Sequence, residues 1–135
     1  MVHKVMIVED AAMMRLYISS FIQSLPDFRV SAQAANGQEA LDQLSENPDI
    51  DLILLDIEMP VMDGFEFLRH AKLKTRAKIC LLSSLTAAGS AQAAKARELG
   101  ADGIVTKPSG TVSHDLEETS GVELAGVMRN LLKAA

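Results

Sequence analysis

Asp51-Leu52-Ile53-Leu54-Leu55-Asp56 is a run of four aliphatic residues closed at both ends by aspartate. A strand with one wet face alternates apolar and polar side chains, so an unbroken run predicts a strand buried on both faces. The same signature recurs along the chain. Lys4-Val5-Met6-Ile7-Val8 stops at Glu9-Asp10, and Lys78-Ile79-Cys80-Leu81-Leu82 stops at Ser83-Ser84. Gly103-Ile104-Val105-Thr106 stops at Lys107-Pro108, and Phe28 to Ala35 alternates enough to be a further strand.

Helical signals separate these strands. Ala11 to Leu25 carries Met14, Ile18, Phe21, Ile22 and Leu25 at helical spacing and stops at Pro26. Asn36-Gly37-Gln38-Glu39 is an Asn-x-x-Glu cap, followed by Ala40, Leu41 and Leu44 on one face and ended by Asn47-Pro48. Asp63-Gly64-Phe65-Glu66 caps a helix that carries Phe65, Leu68 and Ala71. Ser90 to Leu99 is an alanine-rich helix closed by Gly100. Ser120-Gly121-Val122-Glu123 is another capping signal, before a stripe of Leu124, Val127, Met128, Leu131 and Leu132.

Five strands alternating with five helices predict an α/β fold. The strands form a parallel, doubly wound open sheet joined by right-handed crossovers. Residues 1–135 read as a single domain, because a chain of 135 residues supports one core and not two ordinary ones. A polar connection at about 109–120 precedes the last helix.

Composition narrows the function. Thirteen basic residues against eighteen acidic ones leave a net charge of −5, which disfavours nucleic acid as a direct partner. No apolar run approaches the ~20 residues that span a bilayer, so membrane insertion is not expected. The single cysteine, Cys80, excludes an internal disulfide and suits a reducing compartment. The expected location is the cytoplasm.

In an open parallel sheet, ligands bind beyond the carboxyl ends of the strands. Those ends here are Glu9-Asp10, Asp56, Ser83-Ser84 and Lys107-Pro108. Three carboxylates on one rim repel each other, and a hard divalent cation such as Mg²⁺ relieves the repulsion with oxygen ligands. No histidine or cysteine is spaced for zinc or iron. A carboxylate nucleophile, Mg²⁺ and a lysine suit a phosphoryl group. Asp56 is the candidate nucleophile, Lys107 the candidate counter-charge, and Ser83 a hydroxyl able to bond a phosphoryl oxygen.

These residues carry a resemblance. Val8-Glu9-Asp10, Leu55-Asp56-Ile57-Glu58-Met59-Pro60-Val61-Met62-Asp63-Gly64, Leu82-Ser83-Ser84 and Val105-Thr106-Lys107-Pro108 are similar to the receiver domain of bacterial two-component response regulators. The resemblance implies a flavodoxin-like sheet of strand order 2-1-3-4-5. It implies that Asp56 is phosphorylated by a histidine kinase or phosphotransfer protein. It implies that Asp10 binds Mg²⁺ (or Mn²⁺) directly, with Asp56, the Glu58 backbone carbonyl, and Glu9 through water. Ser83 becomes the switch hydroxyl, Lys107 a phosphoryl contact, and Lys107–Pro108 a cis peptide bond. The downstream protein target would bind the face built by helix 4, strand 5 and helix 5. Ile104 stands where the family often carries a switch aromatic, three residues before the lysine.

Ser83-Ser84-Leu85-Thr86 and Thr106-Lys107-Pro108-Ser109-Gly110 further resemble the receiver module of chemotaxis methylesterase regulators. An excised module of such an enzyme is therefore the alternative to a stand-alone switch. The chain contains no Gly-x-Ser-x-Gly elbow. It is expected to be a phosphoacceptor and not an enzyme beyond its own phosphorylation and dephosphorylation. An aspartyl-phosphate hydrolase is the remaining alternative, but that chemistry wants an aspartate where Glu58 stands.

Overall fold

The computed structural model describes residues 2–56, 62–83, 91–106 and 120–133. Among them ten elements alternate: β1 (His3–Val8), α1 (Ala12–Gln23), β2 (Phe28–Ala34), α2 (Gly37–Glu46), β3 (Leu52–Asp56), α3 (Gly64–Ala71), β4 (Lys78–Ser83), α4 (Ala91–Glu98), β5 (Gly103–Thr106) and α5 (Ser120–Lys133). All four strand pairings are parallel, and the order across the sheet is β2-β1-β3-β4-β5. This is the flavodoxin-like order that the family likeness implied. The chain changes direction between β1 and β3, so the switch point lies at their carboxyl ends.

The apolar runs divide between two faces. Met6, Val8, Ile53, Leu55, Ile79 and Leu81 pack with Leu41, Leu44, Phe67, Leu68 and Ala96 of α2, α3 and α4. Val5, Ile7, Leu52, Leu54, Cys80 and Leu82 pack with Ile18, Ile22, Leu124 and Met128 of α1 and α5. Every residue of β3 is buried, which is why its sequence shows no alternation. The stripe foreseen on α5 does face the sheet.

Local signals set most of the helix ends. Asn36 Oδ1 accepts from Glu39 N at 2.9 Å, and Glu39 Oε1 accepts from Ala35 N at 3.2 Å. Asp63 Oδ1 accepts from Glu66 N at 2.9 Å. Gly100 closes α4 at φ +107°, with its N–H donating to Arg97 O and the Ala101 N–H donating to Ala96 O. That pair of bonds is the glycine-terminated Schellman arrangement. The Arg129 guanidinium grips both oxygens of Asp27 at 2.8 and 3.0 Å, tying α5 to the start of β2. Its hydrogen bonds hold the Asp27 carboxyl below the ordinary aspartate range.

Two expectations need correction. Phe67, not Phe65, is the buried aromatic of α3, while Phe65 is half-buried with the Lys95 ammonium 4.5 Å above its ring. Gly64, Phe67, Leu68 and Ala71 form the buried face of α3, with Phe65 at its margin. The capping role foreseen for Ser120 falls at the edge of the described residues, since the residue before it lies outside them. Second, β2 does not keep one face. The register against β1 shifts between Val5 and Met6, leaving Ser31 as the extra residue. Phe28 and Val30 therefore meet the α1/α5 side, while Ala32 and Ala34 meet the α2–α4 side. A bulge reverses facing without altering the spacing in the sequence.

Gly37 opens α2, and its N–H donates to the Met62 carbonyl at 3.1 Å. A Cβ there would lie 2.7 Å from Met62 Cγ and 2.8 Å from the Met62 carbonyl oxygen. The side chain can swing aside, but the oxygen belongs to the backbone. Gly37→Ala is expected to cost about 1–3 kcal/mol through this overpacking, although alanine is the better helix former. The urea midpoint reads the effect, and an unchanged midpoint would show that the Met62 backbone yields freely.

Candidate functional site

Parallel register brings the strand ends level. Val8 pairs with Leu55, Asp56 pairs with Leu82, and Ser83 pairs with Thr106. One carboxylate oxygen from each of Glu9, Asp10 and Asp56 lies within 4.8 Å of the others. Glu9 is fully buried, Asp56 is 3% exposed, and Asp10 is exposed. Residues distant in sequence thus meet at the switch point, beyond the central strands.

The chain builds this acidic mouth from the turn between β1 and α1. Glu9 N donates to Ala34 O at 3.0 Å, extending the pairing with β2 by one step. Glu9 Oε2 accepts from Ala11 N at 3.0 Å. The N-cap of α1 is Ala11, with no side-chain cap, and the first turn holds no acid. The positive end of the helix is thereby left to the neighbouring carboxylate. Capping is consequently not the role of Asp10.

Three carboxylate oxygens without histidine or cysteine form a hard donor set. Two oxygens on one Mg²⁺ ion stand about 3–4 Å apart, given metal–oxygen distances of about 2.1 Å. A span of at most 4.8 Å meets that need after small side-chain rotations. The residues fit a divalent cation.

Ser83 ends β4, and Ile104 in β5 is half-buried on the α2–α4 side. Glu58, Lys107 and Pro108 lie outside the described residues. The roles and the cis bond foreseen for them lie there too, although Lys107 directly follows Thr106 in sequence. Sequence reasoning missed Arg15, whose Nη1 donates to the Glu9 carbonyl at 2.7 Å. Its signal was available, since a cation on the opening turns of a helix opposes the helix dipole.

The family model for the response regulator receiver domain matches residues 5–129. The chain belongs to the response regulator receiver family. This receiver is 42% identical over 113 residues to a protein-glutamate methylesterase/protein-glutamine glutaminase of Oleidesulfovibrio alaskensis, covering 84% of this chain and 30% of that protein. The chain thus spans about a third of the length of the curated relatives it matches. It is 71% identical to a chain in the crystal structure of the P1 domain of CheA3 in complex with CheY6 from R. sphaeroides, covering 98% of both chains at a TM-score of 0.82. It is 33% identical to the response regulator domain of Thermotoga maritima CheB, covering 97% of both at a TM-score of 0.85.

Both levels of the likeness are therefore borne out: a receiver, and one akin to the methylesterase type. A receiver is a regulatory module of two-component signalling, and this one has its relatives among chemotaxis proteins. No helix among the described residues is long and apolar enough to cross a membrane. Beside the receiver's acidic mouth, α1 exposes two apolar side chains, Met13 at 72% and Leu16 at 61%.

Proposed function

We propose that Asp56 is the phosphoacceptor of a cytoplasmic chemotaxis switch, charged by the phosphohistidine of a histidine kinase or phosphotransfer domain. The observation that supports this most is a nearly buried aspartate at the end of the central strand, with oxygens of Glu9 and Asp10 within 4.8 Å. An Asp56 carboxylate oxygen attacks phosphorus, the O–P bond forms, and the donor P–N bond breaks with its electron pair leaving on the imidazole. Asp10, Asp56 and the Glu58 carbonyl would hold Mg²⁺, or Mn²⁺, directly, with Glu9 acting through water. When bound, the cation neutralises charge on the phosphoryl oxygens. Lys107 supplies a second positive charge.

After transfer, Ser83 and Lys107 draw toward the phosphoryl oxygens. Two charge-assisted contacts at about 1.5–3 kcal/mol each approach the ~5.5 kcal/mol that moves a population from 1:99 to 99:1. Ile104 repacks between α4 and the sheet in response, and the α4–β5–α5 face passes the change to a downstream protein. The exposed Met13 and Leu16 of α1 offer an apolar contact for the donor domain. The kinship with methylesterases supports a second reading, in which the same switch governs a catalytic domain.

Incubation with Mg²⁺ and acetyl phosphate, followed by intact mass, tests the assignment. The wild-type chain is expected to gain one phosphoryl group. Asp56→Asn, or EDTA, is expected to abolish the gain. An unmodified wild type, or a modified Asp56→Asn protein, would remove Asp56 from the role. Slow loss of the group marks a switch, whereas rapid turnover of many phosphate esters would mark a hydrolase.

A further inference from the structure

We infer that Arg15 is a positioning residue for the cation site, acting through the main chain of Glu9. The inference rests on the metal reading proposed above. Arg15 is half-buried near the start of α1, and its Nη1 donates to the Glu9 carbonyl at 2.7 Å. Its backbone N–H donates to Ala11 O at 2.9 Å. Glu9 is held further by Glu9 N to Ala34 O and by Ala11 N to Glu9 Oε2, both at 3.0 Å. The turn from β1 into α1 is thus bonded on both sides of Asp10, whose carboxylate it carries into the cluster.

Charge and geometry make opposite predictions for this residue, which allows the role to be tested. A guanidinium near a cation site repels the incoming metal, so electrostatics alone predicts tighter Mg²⁺ binding once the charge is removed. Loss of the bond to the Glu9 carbonyl frees the turn and scatters the Glu9 and Asp10 carboxylates, which weakens binding. Groups that orient metal ligands from behind typically contribute about 10–100-fold in affinity. Bond and burial together place Arg15 among such groups.

Titration of the melting temperature with Mg²⁺ reads affinity without any phosphoryl transfer. The Arg15→Met and Arg15→Lys proteins are compared with wild type, each also melted in EDTA. The half-saturating Mg²⁺ concentration is expected to rise about 10–100-fold in Arg15→Met. It should rise less in Arg15→Lys, which keeps the charge and one donor. If Arg15→Met does not fold, a raised concentration in Arg15→Lys alone sustains the role, and an unchanged one overturns it. Binding in Arg15→Met as tight as wild type, or tighter, overturns the positioning role while leaving the metal site standing. A wild-type chain indifferent to Mg²⁺ overturns the metal reading and this inference with it.

Discussion

Phe67→Ala is expected to lower the unfolding free energy by about 3–5 kcal/mol, the usual cost of emptying a buried aromatic site. Phe67 heads the largest fully buried side chains and sits in the cluster between the sheet and helices α2 to α4. Its neighbours include Ile53, Leu55, Ile79 and Leu81, whose backbones are locked in the ladder and cannot close the gap. A domain of this size has about 5–15 kcal/mol in total, so the loss takes a large share. Urea unfolding followed by circular dichroism checks it through the midpoint at unchanged slope. A loss below about 1 kcal/mol would mean that the α3 face repacks without a cavity.

Asp10→Asn is expected to act with opposite sign in the two metal states. Two unit charges 4.8 Å apart repel by roughly 3 kcal/mol at an effective dielectric of about 20. Asp10 is exposed, so water screens this, and about 1 kcal/mol of relief is a reasonable expectation. In EDTA the Asp10→Asn protein should therefore melt higher than wild type. In Mg²⁺ the order reverses. At a hundred times its dissociation constant, a ligand stabilises by about 2.7 kcal/mol, and the variant forfeits most of that. Melting in both conditions supplies the check. A variant that keeps the full Mg²⁺ response would remove Asp10 from the ligand set.

The residues differ in how far the linear chain reveals them. Asn36 with Glu39, Asp63 with Glu66, and Gly100 after α4 were readable because each reports on bonds within a few residues. Asp56 was readable because it ends an unbroken apolar run. Phe65 and Phe67 both fit an α3 helix by type, and only the packing of that helix on the sheet decides which is fully buried. The facing of Ala32 and Ala34 was hidden, because a bulge arises from the pairing with β1 and leaves the alternation intact. Arg15 left a partial trace: a cation on the opening turns of α1 is visible in the sequence, whereas its bond to a main-chain carbonyl is not.

Taken alone, the order of amino acids determined the alternation of strand and helix, the doubly buried character of β1, β3 and β4, and which side chains end each strand. Those properties follow from burial patterns and caps that act over a few residues. Only the tertiary structure decided that Glu9, Asp10 and Asp56 share one mouth within 4.8 Å. Parallel register sets those distances, and register belongs to pairs of strands and not to any one stretch of chain.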